Sequence, residues 1–126
     1  MSTIQKNKEI TLKFLKEVVS GKIDEAYEKY VDMHGKHHNV FNPAGFEALK
    51  KGMKENHMQF PNKEIHIKQI ICEQDLVAAH SHVILKKAET EINVVHILKF
   101  KNDKIIEMWD CGQVLEPNSQ NKDGAF

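Results

Sequence analysis

One aspartate in this chain stands where a charge is expensive. Asp110 follows Ile105, Ile106, Met108 and Trp109, and a carboxylate in such company carries a desolvation penalty unless it is paired or neutralised. Burial raises its pKa and a nearby imidazolium lowers it, so a group of this kind can be tuned to exchange protons near neutral pH. Histidine is its natural partner, and the chain has eight, unevenly spread. His80 and His82 lie two residues apart, His96 follows in the next strand pattern, and His34, His37 and His38 crowd a short stretch. A structural Asp–His hydrogen bond that holds a sheet in register would use the same residues. With four histidines in reach of Asp110, the functional reading is the stronger.

Alternation along a strand says which of these groups share a face. Ile92, Val94, His96, Leu98 and Phe100 alternate with Asn93, Val95, Ile97 and Lys99; the first set is the more apolar, which points His96 into a core or pocket. Ile106, Met108, Asp110 and Gly112 oppose Ile105, Glu107, Trp109 and Cys111, and Ala78, His80, His82 and Ile84 oppose Val77, Ala79, Ser81, Val83 and Leu85. A single bulge exchanges the faces beyond it, and strongly curved sheets need bulges.

The elements that must position these residues change period midway. Ser2 with Gln5 has the form of a capping box, and Ile4, Leu12, Leu15, Val18 and Val19 recur near helical spacing up to a Gly21 cap. Residues Ile23 to Asp32 read as a second, short helix and His34 to Asn42 as irregular chain. Asn42-Pro43 opens a third helix with Phe46, Leu49, Met53 and Phe60 on its buried face, closed by Pro61-Asn62. Four Val- and Ile-rich strands follow at Glu64–Glu73, Leu76–Lys86, Glu91–Lys101 and Lys104–Leu115. Their short joins make neighbours antiparallel, Asn102-Asp103 being a two-residue hairpin loop. Helices followed by a meander give an α+β fold. Residues 1–126 read as one domain, with 116–126 a loosely held polar tail.

Composition narrows the function classes. Eighteen basic residues balance eighteen acidic ones among 126, so nothing draws the chain to phosphate backbones or anionic lipid, and we expect no nucleic-acid or membrane partner. The run Lys50, Lys51 and Lys54 reads as a solvated helix face. The polar Met1–Ile10 segment lacks the apolar region of a signal peptide. Cys72 and Cys111 fit no zinc or redox spacing, which suits reduced core thiols in the cytoplasm.

Several segments resemble the SnoaL-like (polyketide-cyclase-like) family. Tyr30-Val31, His38-Asn39 and Gly45-Phe46-Glu47-Ala48-Leu49 are similar to its front half. Glu73 to Val83 resembles its central strand, Phe100 to Asp110 its final hairpin, and Asn118 to Phe126 its polar ending; the resemblance spans residues 27 to 126. It implies the cone shared with nuclear transport factor 2 and ketosteroid isomerase, a cystatin-like α+β barrel in which helices and a bent sheet enclose a mostly apolar pocket. It also implies homodimers through the outer sheet face, acid/base chemistry without metal or cofactor, and Asp110 as general acid or base. His96, His80 and His38 become its candidate partners. His82, Trp109, Tyr30, Met108, Phe46 and Met53 become candidate ligand contacts. Many relatives carry histidine where this chain has Met108.

Three readings follow. The first is a cofactor-free acid/base enzyme (aldol cyclase, isomerase or dehydratase type) acting on a small apolar or carbonyl-containing molecule. The second is a metal site, with His80 and His82 on one strand and His96 on the next as three ligands. The third is a ligand-binding or dimeric interaction module without chemistry, which the loss of histidine at Met108 favours. Outward Val77, Val83, Val95 and Ile97 would cover a dimer face. Trp109 reads first as packing, and Tyr27 and Tyr30 first as core.

Overall fold

The computed structural model describes residues 2–126; Met1, part of the polar N-terminal run, lies outside them. Ser2 caps α1 (Thr3–Val19), its Oγ accepting from the Gln5 amide at 3.1 Å. Ile10, Phe14, Leu15 and Val18 form the buried stripe of α1, the spacing that puts side chains on one helical face. Gly21, at φ +95°, reverses the chain into α2 (Ile23–Tyr30); such a φ is open to glycine at no steric cost. Tyr27 of α2 is buried between the rings of Phe14, at 5.4 Å, and Phe46, at 6.4 Å, both edge-on.

The chain then departs from the sequence expectation. Val31–His37, read partly as helix and partly as irregular, is a strand, β1. It pairs in parallel with the last strand, some seventy residues on, through Val31–Ile105, Lys36–Glu107 and His37–Met108. A parallel partner so distant leaves no local turn signal, and β1 lacks the apolar alternation of an ordinary strand. Helix α3 (Phe46–Gln59) also starts three residues later than Asn42-Pro43 suggests. Pro43 is held in the loop because its carbonyl accepts from His37 Nε2 at 2.8 Å.

The meander follows as expected: β2 (Glu64–Glu73), β3 (Leu76–Lys86), β4 (Thr90–Lys101) and β5 (Lys104–Val114), in sheet order β1-β5-β4-β3-β2. Asn102 and Asp103 both adopt positive φ, 51° and 63°, the pair a type I′ hairpin requires. Helices and a curved, open five-stranded sheet make the fold α+β. The core lies between α1, α2, α3 and the inner sheet face, around Tyr27, Phe46, Val77, Leu98 and Ile105. Leu98 and Ile105 are fully buried, each contributing roughly 1.5–3 kcal/mol by burial.

One irregularity in β5 helps set the faces. Between the pairs Lys99–Glu107 and Phe100–Ile105, β5 holds one extra residue, Ile106. Ile105 therefore shares the inner face with Met108 and Asp110, whereas unbroken alternation assigns Ile106. On β3, Val77 and Ala79 are fully buried and Val83 lines the interior. Of the expected outer apolar set, only Val95 and Ile97 remain outside. Cys111 is exposed and Cys72 half-buried; both are free, so neither is the fully buried core thiol expected. In the polar tail, Phe126 stacks on His82 at 4.6 Å on the outer face.

Gly35 is where β1 meets the bulge. A Cβ there would collide with the Ile106 carbonyl oxygen and lie 2.9 Å from the Phe46 ring. Gly35→Ala should therefore cost about 1–3 kcal/mol, the usual cost of overpacking. A lowered denaturation midpoint checks this; an unchanged one would show that β1 does not press on the bulge.

Candidate active site

Asp110 lines a cavity of about 660 Å³ between α3, the inner sheet face and the loop after β1. Apolar side chains from α1, α3 and the sheet, including Phe14, Leu49, Met53, Val94 and Met108, form most of its wall. The apolar Phe41 and Val114, largely exposed, stand at its rim.

The loop after β1 holds the carboxylate. Asn39 Nδ2 donates to Asp110 Oδ2 at 2.9 Å. The orientation of that amide is set from behind, because Asn39 Oδ1 accepts from the Phe41 amide at 3.0 Å and from Asn42 Nδ2 at 2.8 Å. The Asn39 amide itself donates to His37 Nδ1 at 3.1 Å, and His37 Nε2 donates onward to Pro43. Asn42 approaches α3 so closely that a Cβ on Gly52 would collide with its side-chain oxygen. A glycine in α3 thus lets the loop close on the helix, at the usual cost in helix propensity.

His96 is the direct cross-strand partner of Asp110, with both side chains on the cavity wall. Burial pushes the His96 pKa below the usual histidine value, and the opposing attraction of Asp110 is the smaller effect. His96 is accordingly neutral at pH 7. Its Nδ1 is buried without a hydrogen-bond partner among the described residues, as is Ser81 Oγ. Ser81 lies diagonally across from His96 on the inner face of β3. Tyr27 completes the polar group: burial, and secondly the charge of Asp110, hold its phenol far above the ordinary value. Tyr27 therefore stays a hydrogen-bond donor across the physiological range.

The other sequence candidates part company. His80 and His82 point to the outer sheet face, where His80 Nε2 donates to Asn93 Oδ1 at 2.6 Å and His82 Nε2 to Glu91 Oε1 at 2.7 Å. A site shared by His80, His82 and His96 would need side chains from both faces to converge, and among the described residues no three potential ligands do. His38 is also outside, stacked on Trp109 at 5.1 Å and donating to Glu107 at 2.6 Å. That bond, above the opposing burial, holds the Glu107 carboxyl below its usual range. Met53 and Met108 line the cavity; Tyr30, Phe46, Trp109 and His82 do not. Phe46 is buried beneath it, against Tyr27. Tyr27 and Asn39 join the site although neither is a candidate by sequence. Tyr27 has the same helical spacing as any core residue, while Asn39 beside two histidines was the available signal.

Compared with known proteins, residues 9–121 match the family model of the SnoaL-like polyketide cyclases. The chain belongs to this family. Its relatives by structure are remote in sequence and attest to the fold. AclR from Streptomyces galilaeus, assigned as a hydroxylase, superposes with TM-score 0.76 at 18% identity, over 88% of this chain and 91% of AclR. A protein from Jannaschia, assigned as a SnoaL-like polyketide cyclase, gives 0.73 at 16% identity over 90% of each chain. An NTF2-like protein from Cytophaga hutchinsonii gives 0.69 at 10% identity, over 85% and 89%. No curated protein matches by sequence. No described helix of this SnoaL-like protein is long and apolar enough to cross a membrane.

The depressed His96 pKa has a stability consequence. His96 binds its proton less readily folded than unfolded, so its contribution is fully present above the unfolded value of about 6.5 and is lost as pH falls toward the folded value. Histidine NMR should show His96 titrating below the ordinary histidine value. Removing the Asp110 charge (Asp110→Asn) should lower it further, since that charge raises it; an upward shift would show that the Asp110 charge does not raise it.

Proposed function

We propose that this SnoaL-like protein is a cofactor-free acid/base enzyme of the aldol cyclase, isomerase or dehydratase type, acting on a small carbonyl compound. The observation that carries the reading is Asp110 in a largely apolar cavity, one carboxylate oxygen held by Asn39. A base so placed can take a proton alpha to a bound carbonyl and return it elsewhere. As the proton leaves, negative charge grows on the carbonyl oxygen. Tyr27, kept protonated, and the neutral His96 are the donors available to stabilise it, and preorganised donors in a water-poor site are worth more than in bulk water. The apolar wall supplies binding without directing the chemistry.

A binding role without catalysis is the second reading. It is favoured by one observation: no hydrogen bond joins His96 to Asp110, and Nδ1 of His96 has no partner among the described residues. We further assign the exposed outer face around Ile97 to a homodimer contact. The two free thiols support a cytoplasmic setting.

The test uses 2-tetralone, a neutral ketone with acidic alpha hydrogens. Wild-type protein should accelerate exchange of those hydrogens in deuterium oxide, followed by proton NMR. Asp110→Asn should lower the rate about 10²–10⁴-fold, the range of general-base contributions. Full exchange in Asp110→Asn would refute the assignment; binding without acceleration by the wild type would leave the second reading standing.

A further inference from the structure

The chain is electrically balanced, but its cavity is not. All eighteen basic residues are lysines, and none of them lines the cavity wall. Lys63 reaches it only indirectly: its Nζ donates at 2.6 Å to Oδ1 of Asn56, and Asn56 faces the cavity. The charged side chains on the wall are both carboxylates, Asp110, half-buried on the sheet, and Glu55, exposed on α3. His96, the remaining basic group there, is held neutral by burial. An anionic ligand would therefore leave water for a site with two like charges and no counter-ion, and it would find no arginine fork to receive it. A neutral ligand meets no such barrier, and a cationic one gains.

We propose that the cavity selects its ligand by charge, accepting uncharged ketones and aldehydes and their amine-bearing, cationic counterparts while rejecting carboxylates and sulfonates, with Glu55 as the specificity-determining residue. This rests on the cavity being the ligand site, but not on catalysis by Asp110. Glu55 suits the role because it is the one charged side chain that α3 presents to the wall, among the neutral amides Asn56 and Gln59. Asp110 adds to the field but is committed to the hydrogen bond from Asn39.

Two fluorescent probes of nearly the same shape separate charge from fit. N-phenyl-1-naphthylamine is neutral; 1-anilinonaphthalene-8-sulfonate carries an added sulfonate. Titrations on wild-type protein would count only the fluorescence that 2-tetralone displaces, which confines the readout to the cavity. The neutral probe should bind at least tenfold tighter than the sulfonate. Glu55→Lys should raise sulfonate affinity tenfold or more and change the neutral probe far less; Glu55→Gln should give the same change in smaller measure. Equal binding of the two probes, or a sulfonate affinity indifferent to Glu55→Lys, would overturn charge selection while leaving the cavity as a ligand site. If 2-tetralone displaced neither probe, the cavity reading would fall and the proposal with it. Catalysis is judged separately, by deuterium exchange, and can fail without touching this result.

Discussion

The pairing of β4 with β5, and the one extra residue in it, is the constraint on which the site depends. Side chains alternate across a strand, so inserting Ile106 reverses every assignment on one side of it relative to the other. Because of that insertion, Ile105 packs in the core while Met108 and Asp110 still face inward a few residues later. Without it, the strand would have to choose between burying Ile105 and presenting Asp110 to the cavity. The bulge is braced by β1, whose Gly35 lies too close to Ile106 to carry a side chain.

A carboxylate inside an apolar cavity needs compensation, and the molecule supplies it from the loop after β1 rather than from a lysine or a protonated histidine. Asn39 gives a single directed hydrogen bond and leaves the other carboxylate oxygen without a recorded partner. The loop earns its rigidity through His37, Pro43 and Asn42, each bonded within it. Gly52 of α3 is what allows that loop to sit so close to the helix.

The histidines divide by face. His96 is in the interior and uncharged. His38, His80 and His82 lie outside with Glu107, Asn93 and Glu91, and His82 is additionally covered by Phe126. Their clustering in sequence therefore reflects two separate polar surfaces. Membership in the SnoaL-like family accords with the helices and curved, open sheet. It does not name a substrate, since one fold hosts unrelated activities.

Much of the architecture was legible in the residues. The capping box at Ser2, the helical stripe of α1, the four alternating strands and the Asn102-Asp103 turn are local signals, and each acts over a few residues where physical preference is strongest. Asp110 stood out for the same reason, as a charge among apolar neighbours, and the inward face of His96 followed from simple alternation. Tertiary structure alone decided the rest. The parity of β5 depends on a bulge that no local preference announces. The parallel pairing of β1 joins segments some seventy residues apart, and the Asn39–Asp110 bond spans a separation of 71. Whether His80 faces Asp110 or solvent turns on strand register, a collective choice that buries Val77, Ala79 and Ser81 together. Sequence reveals which groups can do chemistry; only packing determines which of them share a cavity.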